Sequence, residues 1–189
     1  MKVTKVEKLT DTKFLNLYNL TYDNGVKWTI SSRRDVSDLM AVSGRMKADA
    51  VTIIPILKQK NKDFVVLIKE FRYSINKHVW TFPSGLVEDG EDAKVSAQRE
   101  LGEEIGAFDI LDIEPVTDVC LKSEGMTDET TIVFKAHIGE LSIQNLQDNE
   151  KIKVVPVEVS KIPTFMKKVI KNGEVFSLVA AIYLPTLKQ

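Results

Sequence analysis

Between Ala93 and Ile105 the chain reads AKVSAQRELGEEI, with Asp92 before it and Gly106 after it. An acid at the start and a glycine at the end mark the N-cap and the left-handed C-cap of a helix. The pattern predicts a helix over Asp92–Ile105. At 100° per residue, Glu100, Glu103 and Glu104 fall within about 100° of arc. Ala93 and Ser96 share that arc and are too small to screen it. Ala97, Leu101 and Ile105 form the adjacent apolar stripe, so this stripe faces a core and the carboxylates sit at its edge.

Like charges three or four residues apart cost a helix about 0.2–0.5 kcal/mol per pair. An open surface tolerates that, and Glu-rich helices are most often solvated faces. The same arrangement also prepares a site for a hard cation. Magnesium prefers carboxylate oxygens in octahedral geometry and keeps room for waters and phosphate. Arg99 lies just beside the arc and can orient a carboxylate through a bidentate pair. The carboxylate face alone leaves both alternatives open.

The rest of the chain supplies strands. Phe14–Tyr22 and Val26–Ser32 flank Asp23-Asn24-Gly25, a strong hairpin signal, which predicts a small antiparallel sheet within residues 2–34. Asp35–Ala48 is a polar connector with room for a helical turn. Val51–Ile56 and Phe64–Ile68 are buried strands joined by the polar tip Lys58–Asp63. Trp80–Phe82 is a short strand, and further strands fall at Ile113–Leu121, Thr131–Ile138 and Lys153–Val159. A helix capped by Ser160 runs through Lys171. A last helix covers Phe176–Leu184, with Pro185 closing it. This order predicts a mixed sheet covered by helices. The expected division is 1–47 for the small sheet and 48–189 for the main body.

Composition narrows the function classes. The 26 Lys and Arg against 27 Asp and Glu leave a net charge of −1, which gives no electrostatic case for nucleic acid or an anionic membrane. Cys120 is the only cysteine, so no intrachain disulfide forms, which suits a reducing compartment. Met1–Lys13 has no apolar signal core and no apolar run is long enough to span a bilayer. Cytoplasm is the expected location.

The residues around the helix decide between the two alternatives left open. Gly85, Glu91, Arg99, Glu100, Glu103, Glu104 and Gly106 reproduce Gly-x5-Glu-x7-Arg-Glu-U-x-Glu-Glu-x-Gly-U, where U is apolar. Seven fixed positions match by chance with odds on the order of one in 10^8 per starting point. This spacing resembles the Nudix box. Leu101 fills the first U position; Ala107 fills the last, where the family prefers a larger aliphatic. The resemblance implies an α/β/α sandwich in which the box forms a loop, the catalytic helix and a second loop. It implies magnesium or manganese at the box glutamates and hydrolysis of nucleoside diphosphates linked to another moiety. By residue match, Glu100 and Glu104 are the expected metal ligands, with Ser84 beside them. Glu103 is a ligand or a water-positioning base, and Arg99 and Glu91 are the supporting pair.

Further segments resemble the ADP-ribose pyrophosphatase branch: Lys69-Glu70-Phe71-Arg72-Tyr73, Trp80-Thr81-Phe82-Pro83-Ser84-Gly85-Leu86-Val87-Glu88, and Gly125-Met126-Thr127-Asp128-Glu129. The branch implies that Glu129 swings over the metals as catalytic base or further ligand, and that Arg72 contacts substrate. It also implies that the N-terminal sheet joins a homodimer and sends an aromatic onto the adenine in the partner's site. Trp28-Thr29-Ile30-Ser31-Ser32-Arg33 is similar to that segment. Trp28 then stacks on a base and Arg33 meets phosphate or ribose; the alternative for Trp28 is plain packing at the interface, while Trp80 is expected in the core. Thr81, Ser84 and Glu124 depart from the branch, which usually has Glu, Ala and Pro there. The position of Thr81 normally supports the metal shell. The activity implied is cleavage of ADP-ribose to AMP and ribose 5-phosphate. Another nucleotide sugar or a dinucleotide is the alternative substrate. A non-catalytic nucleotide sensor would be expected to lose box glutamates, and all are present.

Overall fold

The computed structural model describes residues 1–148 and 150–187. Met1–Ala50 packs with Thr117–Ile132 as one unit, and Val51–Val116 packs with the chain from Val133 onward as a second. The return of Thr117–Ile132 to the first unit is long-range pairing that no local pattern announces. Residues 188 and 189 of the expected main body lie outside the described ones.

In the first unit β1 (Val3–Lys8), β2 (Asn16–Tyr22) and β3 (Lys27–Ser32) form an antiparallel sheet in that order. The turn at Asp23-Asn24-Gly25 closes through Gly25 N–H to Tyr22 O and Tyr22 N–H to Val26 O, both 2.9 Å. Period-two alternation puts Tyr18, Leu20 and Ile30 on one face, where they bury with Leu39. The Tyr18 hydroxyl donates to Arg34 O at 2.9 Å. The connector contains one helical turn, α1 (Met40–Ser43).

An ion pair ties this unit together. The Arg34 guanidinium reaches Asp49 through Nε at 3.2 Å and Nη2 at 2.8 Å, and also donates to the carbonyls of Arg45 and Lys47. Asp49 Oδ2 accepts from Thr130 N at 2.9 Å. Ser31 N donates to Met126 O, and Met40 N to Asp128 Oδ2.

The second unit is built on β4 (Ala50–Gln59, from Val51 onward), β5 (Lys62–Arg72), β6 (Lys77–Thr81) and β7 (Ser84–Leu86), then α2 (Ala93–Ile105). β8 (Ile110–Pro115) follows. β9 (Cys120–Leu121) belongs to the first unit, and β10 (Thr130–Ile138) contributes its residues from Val133 onward here. β11 (Ile152–Glu158), α3 (Ile162–Lys171), β12 (Val175–Phe176) and α4 (Leu178–Tyr183) complete it. The sheet runs β12-β6-β5-β4-β10-β8, with β11 on β5 and β7 on β4. The β12–β6 pair is parallel and β5 is antiparallel to β4, β6 and β11, so the sheet is mixed. Val51 to Leu57 and Val65 to Ile68 are buried at both parities, which requires cover on both faces of the sheet. On one face Ile54, Ile56, Val65 and Leu67 pack with Trp80, Phe82 and the buried residues of α3 and α4, Ile162, Val169 and Ala180. The α/β class expected from the sequence is the one observed. Among the described residues no helix is long and apolar enough to cross a membrane.

Three local expectations are corrected. The strand expected over Ile113–Leu121 is interrupted, because Pro115 has no N–H and Asp118 takes the N–H of Val119 at 2.8 Å. Ser160 does not cap α3: its hydroxyl bonds Glu158, and a 3-10 turn over Val159–Lys161 leads directly into the helix. The last helix is shorter than expected, since Val175–Phe176 pairs with β6 and Ser177 is the cap. Pro185 opens a 3-10 turn over Leu184–Thr186, where its fixed φ fits.

Removing the Asp49 carboxylate leaves the largely buried Arg34 guanidinium without its counter-charge, held only by the Arg45 and Lys47 carbonyls, and the Thr130 N–H without its acceptor. Asp49→Ala is expected to lower the unfolding free energy by about 2–3 kcal/mol in urea titration. Asp11→Ala, which breaks the exposed pair with Lys8, is expected to leave the midpoint in place.

Candidate active site

The helix begins and ends as its sequence demands. Asp92 has extended backbone and its Oδ1 accepts from Lys94 N at 2.8 Å. Gly106 stands at φ 66° and closes a left-handed cap, with its N–H on Gly102 O and that of Ala107 on Leu101 O. A Cβ on Gly106 would stand 2.3 Å from Ser142 O, so chain packing as well as φ holds this position to glycine. Ala97, Leu101 and Ile105 are buried.

The carboxylates do not line the edge of the core evenly. Glu100 and Glu104 are 5% and 3% exposed, while Glu103 is half-buried. β7 makes room for this: a Cβ on Gly85 would stand 1.8 Å from Glu100 Oε1. On the same strand Ser84 N donates to Glu104 Oε2 at 2.9 Å.

Arg99 organises the surrounding charge. It bonds Glu91 through Nε at 3.4 Å and Nη2 at 3.1 Å, Glu100 Oε1 through Nη1 at 2.7 Å, and Leu86 O through Nη2 at 3.0 Å. Its Nη1 is 3.4 Å from Glu103 Oε2. The Ser96 hydroxyl donates to Glu91 Oε2 at 2.6 Å. Arg99 first, and then Ser96, hold the Glu91 carboxyl down at about 2. Burial pushes Glu100 up, opposed by Arg99 and reinforced by Glu103 and Glu150. Burial pushes Glu104 well above the ordinary carboxylate range, opposed by the Ser84 N–H and reinforced by the negative charges of Glu100, Glu70 and Glu150.

Two of those neighbours were not anticipated. Glu70 is bonded by Arg72 Nη1 at 2.6 Å, so Arg72 enters this region as a partner of a carboxylate. Glu150 comes from the loop after β10. That loop is clamped to the end of α2 by satisfying its last carbonyls: Ser142 N on Gly106 O, Asn145 N on Glu103 O, and Gln144 Nε2 on Glu104 O. It brings Gln147 and Glu150 into a cleft of about 500 Å³ that Gly85, Glu88, Arg99 and Glu100 also line. The loop has no periodicity and lies far from the box in sequence, so only its backbone bonds reveal the placement. Among the described residues, no three acidic, His or Cys side chains form a ready-made metal cage. Thr81 is buried and its hydroxyl turns to Ser177 Oγ at 3.0 Å, at the cap of α4.

In the first unit, Trp28 is half-exposed and lines a hollow of about 440 Å³ with Leu20, Tyr22, Ile30 and Met40; Glu124 is at its rim. Arg33 Nε is 3.6 Å from Glu129 Oε2, and Lys122 Nζ holds Glu129 Oε1 at 2.9 Å. Trp80 is in the core, as expected, with its Nε1–H on Glu174 at 2.6 Å.

A NUDIX domain model matches residues 46–173, and the chain belongs to the Nudix family. It is 29% identical over 151 residues to the ADP-sugar pyrophosphatase of Mus musculus, covering 79% of this chain and 66% of that protein. It is 29% identical over 181 residues to the ADP-ribose pyrophosphatase of Saccharomyces cerevisiae, covering 89% and 74%. A 26% identity over 139 residues relates it to the ADP-ribose pyrophosphatase of Bacillus subtilis, covering 71% of each. The chain thus spans just under two thirds of the mouse protein.

Glu104 and Glu100 bind a proton more tightly folded than unfolded. The stability they contribute is therefore greatest at low pH and falls as pH climbs from the ordinary carboxylate value through their raised one. Glu91 acts oppositely: its contribution holds above the ordinary value and is lost as pH falls toward about 2. Glu104→Gln is accordingly expected to raise Tm in EDTA at pH 7.5 and to leave it nearly unchanged at pH 4. Scanning calorimetry at the two pH values checks this, and a lower Tm at pH 7.5 would contradict it.

Proposed function

We propose that this protein hydrolyses the pyrophosphate bond of a nucleoside diphosphate derivative, with ADP-ribose as the leading substrate. Water adds at one phosphorus, the P–O–P bridge breaks, and AMP and ribose 5-phosphate leave. The observation that carries this is the buried pair Glu100 and Glu104, held by Arg99 and the Ser84 N–H against a strand cleared of side chain at Gly85. Two carboxylates so desolvated, with Glu70 and Glu150 adding repulsion and Arg99 offsetting the charge of Glu100 alone, make a net negative site that suits a hard divalent cation. Glu100 and Glu104 would hold magnesium or manganese, with Glu103 and Ser84 at its margin. When bound there, such an ion would supply charge neutralisation for the diphosphate and Lewis acidity toward the attacking water. Arg99 fixes the carboxylates before substrate arrives, so no reorganisation is needed at the reaction. The names of the mouse, yeast and Bacillus relatives support the choice of ADP-ribose-type substrates, and the single cysteine suits a cytoplasmic enzyme.

For the residue that positions or deprotonates water, Glu150 is favoured over Glu129. Glu150 lines the cleft beside Glu100, whereas Glu129 is engaged by Lys122 and Arg33. Glu100→Gln and Glu104→Gln are expected to lower magnesium-dependent AMP release by about 10²–10³-fold. In the same assay Glu150→Gln should lower kcat by at least about 10²-fold, the usual worth of a general base, with little change in KM. If Glu129→Gln alone produces that loss, the base is Glu129 as the branch resemblance implies.

We further propose a homodimer in which Trp28 of one subunit stacks on the base held by the other, with Arg33 near the phosphate or ribose. Support comes from the half-exposed indole at the rim of an apolar hollow. Trp28→Ala should raise KM for ADP-ribose about tenfold, the scale of one lost base stack. Simple interface packing instead predicts a weaker dimer whose activity returns at high protein concentration. Measuring KM and molar mass over one concentration series separates them.

A further inference from the structure

Three strands of the second unit lose their apolar character together, at one end of a sheet face. Period-two alternation puts Ile54, Ile56 and Lys58 of β4 on that face, opposite Val65 and Asp63 of β5, with Val133, Lys135 and His137 of β10 alongside. The apolar members bury with Val157 and the inner residues of α3 and α4. The ionic members stand where that cover ends, and they border a cavity of about 460 Å³. Val159 and Leu187 also line it, and with the buried Ile56 they give it an apolar floor.

The charges around this cavity do not cancel. Lys58 Nζ reaches Asp63 at 2.7 Å, and Lys62 Nζ reaches Glu158 at 3.0 Å. Glu158 also accepts from the Ser160 hydroxyl and lies 3.3 Å from Lys161 Nζ; Ser160 first, and then Lys62, hold its carboxyl down at about 2. Both lining carboxylates are thus matched, and Lys135 is left over. It is half-buried, yet among the described residues no ion pair or hydrogen bond engages its ammonium. Glu114 stands opposite Lys135 in the β8–β10 register but is exposed and forms no pair with it. His137, two residues along the same face, has Nδ1 4.0 Å from Asp112, the outer limit of an ion pair. A cation partly withdrawn from water without a counter-charge is unfavourable, and an anion that also covers the apolar floor relieves it most. The space exceeds what a bare inorganic ion fills and falls in the range of small organic ligands, roughly 300–1,000 Å³. Charge number then selects the head group. One free ammonium neutralises one negative charge, and a second would face Asp63 and Glu158 across the same cavity, which favours a carboxylate over a phosphate monoester.

We propose that this cavity binds a small organic monoanion, a carboxylate head on an apolar body, and that Lys135 pairs with the head. The body lies on Ile56, Val159 and Leu187. The cavity shares no lining residue with the cleft that holds Glu100 and Glu150, so this site is additional to the pyrophosphatase reading and independent of it.

Titration calorimetry on the full chain with three probes that share one apolar body tests this: 1-naphthoate, the neutral 1-naphthalenemethanol, and 1-naphthyl phosphate. EDTA in the buffer keeps the phosphate probe from being held through a metal at the box carboxylates. Naphthoate should bind at least about tenfold more tightly than the alcohol, the scale of one hydrogen bond to a charged group, and at least as tightly as the phosphate. Lys135→Met keeps the length of the side chain and removes its charge. It should weaken naphthoate about tenfold and leave the alcohol within about twofold. Lys135→Gln, a second neutral variant, should behave alike, and Lys135→Arg should hold naphthoate within about threefold of wild type. Naphthoate binding no tighter than the alcohol, or unchanged without the Lys135 charge, overturns the site. An equal loss of both probes in Lys135→Met reduces Lys135 to a packing role and overturns it too. Tighter binding of naphthyl phosphate than of naphthoate overturns the assignment of a monoanion.

Discussion

The charge cluster around Arg99 is the interaction on which the site depends. One guanidinium bonds Glu91, Glu100 and the Leu86 carbonyl and reaches toward Glu103, which joins the loop before α2 to two successive turns of the helix. Without it the helix would present like charges three and four residues apart with nothing to orient them. With it, one carboxylate is held firmly ionised at Glu91, and Glu100 keeps a cationic neighbour despite its burial. The planar fork of Arg is suited to this because it serves several acceptors in fixed directions, which a lysine ammonium cannot do.

The cost of the arrangement is placed at Glu104. It is the most deeply buried of the box carboxylates, and its direct support is one backbone N–H from Ser84, while Glu70, Glu100 and Glu150 all oppose its charge. Sites of this kind exchange stability for readiness: a carboxylate kept dry and repelled has more to gain from a cation than a solvated one. The surrounding fold holds the strain. β7 pairs with the buried β4, Gly85 clears space for Glu100, and the loop through Ser142, Gln144 and Asn145 is fastened to the end of the helix.

That loop changes what surrounds the helix. It delivers Glu150 to the cleft, and its Asn145 N–H to the Glu103 carbonyl. The first unit shows a similar economy. The Arg34–Asp49–Thr130 network anchors the segment that carries Lys122 and Glu129, and Arg33 answers Glu129 from the end of β3. In both units, functional candidates sit on irregular chain that is fixed by hydrogen bonds to regular elements.

Local chemistry was legible wherever the physics is local. Asp92 and Gly106 bound the helix because capping acts within one turn, the Asn-Gly turn made its hairpin, and the alternation of Tyr18, Leu20 and Ile30 selected their buried face. The box spacing identified the family and brought Arg99 and the three glutamates to one helix, since residues three and four apart are neighbours there by geometry alone, while Glu91 meets Arg99 from the loop before it. Tertiary structure decided the rest. A helical wheel gives the direction of Glu100 and Glu104 but not their depth, which depends on β7 and Gly85 across the interface. Ser160 lost its cap to a bond with Glu158, and the strand expected through Leu121 broke at Pro115 and Asp118, because competing partners arrive from outside the local window. Glu70 and Glu150 join the cluster through sheet pairing and loop clamping over long sequence separations, contacts whose closure no run of neighbouring residues encodes.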